Sequence, residues 1–262
     1  MLALVGVSLT RNNCRRPRTP YHTRADGCPI ARRRFLQLFF SMAGAMNYTE
    51  VTERTRETVM SYAQEQWPVI KSSSGVEVSF YENANTDTPA KVFKAVGIVR
   101  APPATTFEYI LPGALRLHWD KQVKSCEIVT IVEEGTAILR TLSNGAAMGL
   151  ISPREYLDLV TISRNTETGL HLSYSTGIEY PYPEDPSYVR GLNHPSTMMC
   201  FPLDSDPNST KLVYAFQTDL KGKIPPKLID ATLPSIQVTF FKNLRKAIKE
   251  RTREKTGKTC ML

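Results

Sequence analysis

The chain has 262 residues, 41% of them hydrophobic and 22% charged, which is enough for one large domain or two small ones with a sizeable core. Its formal charge of +8 sits at the ends: residues 1–45 carry +7, residues 241–262 carry +6, and the body, 46–240, is left with −5. An acidic body argues against a nucleic-acid-binding core, and no apolar run is long enough to span a bilayer. The five cysteines (Cys14, Cys28, Cys126, Cys200, Cys260) are scattered, odd in number and form no C-x-x-C. They read as free thiols in a reducing compartment.

Residues 1–45 hold eight Arg, no Lys and one acid. Two readings stand for them: a transit peptide, or a dispensable extension upstream of a start at Met46. Either way they are expected to be disordered. Asn47 and Glu50 then form a capping-box-like start to a helix over 48–64, with Val51, Thr55, Val59 and Tyr62 at helical spacing. Short β-like runs follow at 76–81 and 92–99, and Pro103 opens a short helix over 103–111. Runs at 128–132 and 137–142 flank the hairpin signal EEGT; runs at 156–163 and 170–178 flank RNTETG. Further strands are expected at 197–201 and 212–220. Leu228, Thr232, Ile236, Phe240, Leu244 and Ile248 then recur every four residues, which predicts one long amphipathic helix kinked at Pro234. The order predicts an α+β fold, an antiparallel sheet closed by a C-terminal helix. It forms one domain over 46–251, with a basic tail at 252–262.

Few residues suggest catalysis. His22, His118, His171 and His194 lack metal-ligand spacing, and there is no nucleophile elbow, phosphate loop or dinucleotide fingerprint. Neither a cofactor nor a metal is expected. The TCML terminus has Cys third from the end, not fourth, so it is not a prenylation box. The two carboxylates of PREYLD are weak evidence for acid–base work. Arg154, fixed after Pro153 with Glu155 and Asp158 nearby, reads as a clasp ordering a corner. A binding cavity remains, and polar residues inside apolar strands are its candidates for ligand contact.

Four segments carry a resemblance: LRLHWDKQV (115–123), SNGAAMGLISPREYLDLV (143–160), YVRGLNHP (188–195) and TDLKGKIPPKLID (218–230). In order and spacing the chain resembles the StAR-related lipid transfer (START) domain family, in its soluble single-domain subgroup. The resemblance implies the helix-grip fold, in which about nine curved antiparallel strands grip the C-terminal helix around a tunnel for one lipid. It implies that the Ω-loop 143–151 forms a lid with that helix; Met148 and Leu150 in it are read as contacting either lipid or core. Leu233, Ile236, Phe240 and Leu244 would line the tunnel roof, with ordinary core packing the alternative for each. The family's cholesterol-carrying prototype keeps a buried acid and a buried Arg in its cavity; the matching positions here are Thr141 and Val160. The cavity is therefore expected to be less polar there, with the Thr141 hydroxyl as an anchor.

Trp119 is read as either cavity floor or core. Arg116 and His194 are read as either partners for a ligand carboxylate or structural groups. The implied function is non-enzymatic transfer of a sterol, oxysterol or bile acid by a cytoplasmic monomer, with transient membrane contact through the basic end of the last helix. A ligand-gated sensor and an enzyme of the same broad fold are the rival readings. Mitochondrial targeting by residues 1–45 stays open.

Overall fold

The computed structural model describes residues 46–82 and 91–259; the expectations for residues 1–45 fall outside them. Helix α1 (Tyr48–Gln64) starts at the expected cap: the Asn47 side chain accepts a hydrogen bond from the Glu50 backbone N–H at 3.3 Å. That satisfies one of the first-turn donors that no helical carbonyl can reach. Thr55, Val59 and Tyr62 of the predicted stripe are buried, and Val51 at its start is half-buried.

Strands β1 (Val69–Ser73), β2 (Val76–Tyr81) and β3 (Val92–Val99) come next, then helices α2 (Pro103–Ile110) and α3 (Ala114–Trp119). Strands β4 (Val123–Glu133), β5 (Thr136–Ser143), β6 (Arg154–Arg164) and β7 (His171–Gly177) follow, with a single 3-10 turn, Ala147–Gly149, between β5 and β6. Two-residue strands β8 (Val189–Arg190) and β9 (Leu192–Asn193) precede β10 (Ser196–Leu203), β11 (Asp206–Phe216) and β12 (Thr218–Asp219). Helix α4 (Pro226–Thr259) ends the described chain.

The main sheet runs β1-β2-β3-β11-β10-β7-β6-β5-β4, and all of these neighbours pair antiparallel. Nine strands lie on this path, as expected; β8 adds a short parallel pairing to β6. Local hairpins build each half of the sheet, and the β3–β11 and β7–β10 pairs join segments far apart in sequence. The turn at EEGT places Gly135 at φ 81°, with Ile162 N–H donating to its carbonyl at 2.8 Å. The left-handed φ is open to glycine at little steric cost.

Side chains alternate between the two sheet faces, and each face has its own cover. On one, Val59, Tyr62 and Trp67 pack on Leu172, Tyr174, Met199, Val213 and Ala215. On the other, Val238, Phe241, Leu244 and Ile248 of α4 pack on Val76, Val78, Ala95 and Leu212. Each fully buried Phe or Leu of this kind contributes about 1.5–3 kcal/mol. Gly97 lets α4 come close: a Cβ there would lie 2.9 Å from the Phe241 ring and 3.0 Å from the Arg245 guanidinium.

Two features differ from the sequence reading. Strand β1 was not expected, since Val69 and Ile70 are exposed at the sheet edge and give no alternating apolar signal. Strand β11 begins at Asp206 rather than 212. Its first residues are polar, but pairing with β10 and β3 and the Asp206–Ser209 hydrogen bond hold them extended. Helix α4 is the one long helix expected, with Pro234 inside it. Three residues later, the fully buried Gln237 amide donates to the Phe93 and Tyr214 carbonyls and pins the helix to the sheet.

Candidate functional site

Between α4 and the sheet face it covers lies a cavity of about 260 Å³, close to the lower end of the roughly 300–1,000 Å³ typical of small-molecule pockets. Strand β6 supplies its polar wall. Alternation turns Arg154, Tyr156, Asp158 and Val160 toward the cavity, whereas Glu155 points to the opposite side. Helix α4 contributes Leu233, Ile236 and Phe240.

Six residues singled out in the sequence line the cavity: Arg116, Thr141, Val160, Leu233, Ile236 and Phe240. The Thr141 hydroxyl lies 3.7 Å from Cys126 Sγ, a weak thiol contact. Arg116 is already engaged: Nε donates to Asp120 at 3.0 Å, Nη1 donates to the Ile110 carbonyl at 3.1 Å, and the guanidinium lies over the Phe240 ring.

The other five lie elsewhere, and the reasons are geometric. Met148 and Leu150 project into solvent, fully and two-thirds exposed. Ala147, Met148 and Gly149 all have left-handed backbone, which turns the loop tip outward, while Ile151 is buried and faces the cavity. Leu244 packs on the sheet further along α4. Trp119 is core: its indole donates to the Tyr109 carbonyl at 3.0 Å, and its ring braces Phe240 edge-on. His194 sits by the β9–β12 pair, its N–H bonded to the Gln217 carbonyl, and burial pulls its imidazole pKa down.

The expected clasp is present, with different partners. Arg154 is 3% exposed, and its guanidinium donates to the carbonyls of Ser152, Leu220 and Lys221. It ties the corner to the segment leading into α4; neither neighbouring carboxylate pairs with it. Glu155, also buried, binds Arg140 on β5 and Arg190 on β8 instead. The corner is closed further by Gly191, where a Cβ would lie 2.5 Å from the Tyr156 ring. The loop above it is pinched by two backbone bonds between Ala146 and Ile151, at 2.9 and 3.1 Å.

Asp158 is the residue the sequence reading misplaced, as a corner group. It faces the cavity, 6% exposed, and one oxygen accepts from the Asn193 amide at 2.9 Å. Its other oxygen, Oδ1, is buried without a hydrogen-bond partner. Burial pushes its pKa up to about 6. The phenols of Tyr156 and Tyr214, also lining the cavity, are held at about 12 by burial and stay neutral. Period-2 alternation from Val160 was the signal that could have placed Asp158 inward. For Asn193 no local signal existed, because the β9 segment meets β6 only in the fold.

The START domain family model matches residues 52–254. StAR-related lipid transfer protein 5 of Bos taurus is 36% identical over 206 residues, covering 77% of this chain and 95% of that one. StAR-related lipid transfer protein 6 of Homo sapiens is 32% identical, over 81% and 97% of the two chains. The solved structure of human StAR-related lipid transfer protein 5 superposes with a TM-score of 0.74 at 34% identity, over 78% of this chain and 98% of that one.

Proposed function

Since the chain belongs to the START domain family, we propose that it is a non-enzymatic carrier that takes up one sterol-like or bile-acid-like lipid per chain. The observation that carries this reading is the cavity between α4 and the sheet, apolar on the helix side and set with a few polar groups along β6. Burial of the ligand's hydrocarbon drives uptake, at about 2.5 kcal/mol per 100 Å² of apolar surface removed from water. The polar groups select among ligands.

Release at a membrane fits the outer features. The loop 143–151 carries exposed Met148 and Leu150 at its tip and is tied at its base, so it can swing without unfolding the sheet. On α4, Lys242, Lys249 and Arg253 are exposed, and each adds about 1 kcal/mol of attraction near an anionic leaflet. Arg245 is not available for this role: its guanidinium donates to the Ile98, Ser74 and Gly75 carbonyls. Among the described residues no helix is long and apolar enough to cross a membrane. The free thiols Cys126 and Cys200 suit the reducing cytoplasm.

The test is transfer of a fluorescent sterol and a fluorescent bile-acid analogue between vesicles by the full chain, with the binding stoichiometry measured in parallel. Saturable one-to-one binding with accelerated transfer is expected. No saturable binding to any member of a lipid panel would overturn the proposal; binding without transfer would favour a sensor.

A further inference from the structure

Within the cavity one polar group stands out by what it lacks. Asp158 Oδ2 is fixed by Asn193, whereas Oδ1 is buried and unpartnered. The cationic side chains around it are committed elsewhere. Arg154 is bound to three carbonyls, Arg116 to Asp120 and the Ile110 carbonyl, and Arg140 and Arg190 to Glu155 beyond the sheet. Among the described residues no cation pairs with Asp158 within 4 Å. A carboxylate oxygen taken from water with nothing in exchange is costly, and its pKa near 6 leaves it mostly ionised at neutral pH, able only to accept.

Building on the carrier reading, we propose that Asp158, oriented by Asn193, is the selectivity subsite of the cavity: its free oxygen accepts a hydrogen bond from a hydroxyl on an otherwise apolar ligand. The neighbourhood fits such a guest. Leu139 lies directly across on β5, and Val160 follows on the same face of β6, so hydrocarbon meets hydrocarbon on both sides of one acceptor. The same oxygen repels a ligand carboxylate. A lipid acid therefore enters with its carboxylate away from Asp158 and a ring hydroxyl toward it.

The experiment compares a matched pair, a 3-hydroxysterol and its 3-deoxy analogue, for binding to the full chain and to Asp158→Leu and Asp158→Asn. Hydrogen bonds to charged groups correspond to roughly 10–100-fold in affinity, so the wild type should favour the alcohol by that factor. Asp158→Leu should bring the ratio to about one while still binding the deoxy sterol. Asp158→Asn, which keeps one amide oxygen, should give an intermediate ratio. Because the readout is a ratio, any steric loss from the larger side chain cancels. A wild type that binds both sterols equally, or an unchanged preference in Asp158→Leu, overturns the subsite and leaves the carrier reading intact. If neither these sterols nor any other lipid binds the wild type, both fall.

Discussion

The two sides of strand β6 treat buried acids in opposite ways. On the outer side Glu155 is 1% exposed and both its oxygens are taken, one by Arg140 and one by Arg190. On the cavity side, three residues on, Asp158 is 6% exposed and has a partner on one oxygen only. Burial is nearly equal; completeness of pairing differs. A fully paired acid holds the sheet, β8 and the corner together. A half-paired acid weakens the empty protein and offers a ligand something to bind.

The largest expected effect breaks the paired side. Glu155→Ala takes the acid from Arg190 and leaves Arg140 only the longer contacts to Glu127 and Asp185, at 3.6 and 3.8 Å, and removing one partner from a buried ion pair typically costs about 3–5 kcal/mol. Urea denaturation at neutral pH should show a loss of that order. A loss below about 1 kcal/mol would mean that the network contributes little and that the contrast between the two sides is not one of stability.

The next effect sharpens the half-paired side, through pH. In the folded chain Asp158 titrates near 6, against 3.8 for the ordinary carboxyl, so between those values the folded state binds more protons than the unfolded one. Its contribution to stability is fully present below about 3.8 and is lost as pH rises through 6, a span of about 3 kcal/mol. Asp158→Asn removes this dependence. Subtracting the variant's stability curve from the wild-type curve cancels the other titrating groups. The difference should fall with rising pH across this window and leave the variant the more stable at pH 7. A flat difference would show that Asp158 is better solvated than its burial implies.

A third test strikes the seam where the two sides meet. Gly191 passes so close to Tyr156 that a Cβ would overlap the ring. Gly191→Ala should cost about 1–3 kcal/mol, the usual range for overpacking, and should displace a cavity-lining phenol. Calorimetry of the empty and lipid-loaded chain would separate the two consequences. An unchanged melting temperature would indicate that the ring moves aside freely.

These residues also show what could be read from the chain. The long α4 pattern, the capped α1 and the hairpins at EEGT and RNTETG are local, and apolar periodicity exposes them. The segments 143–160, 188–195 and 218–230 meet at one corner: Glu155 binds Arg190, Asp158 binds Asn193, and Arg154 binds the Leu220 and Lys221 carbonyls. No spacing rule foretells those pairings, because each joins positions 35 or more residues apart. Asp158 was misread for another reason. Charge drew it toward Arg154 in sequence, although alternation had already placed it on the face of Val160. Met148 and Leu150 were misplaced because apolar character was taken for burial, while the left-handed backbone at the loop tip turns them outward.

The smallest expected effect concerns Thr141, the anchor suggested by the resemblance. It pairs with Tyr156 across the β5–β6 ladder, one inward-facing step from the Leu139–Asp158 pair, so it is a diagonal neighbour of Asp158 and within reach of the same ligand hydroxyl. Its hydroxyl meets the weak Cys126 thiol, so Thr141→Val should change the stability of the empty protein by less than about 1 kcal/mol. A neutral hydrogen bond to the ligand is worth about 0.5–1.5 kcal/mol, so affinity for the hydroxylated sterol should fall by roughly 2–12-fold, less than for Asp158→Leu. Unchanged affinity would leave Asp158 and Asn193 as the polar reading head and reduce Thr141 to wall. A fall larger than that of Asp158→Leu would reverse the ranking and move the selective contact from β6 to β5.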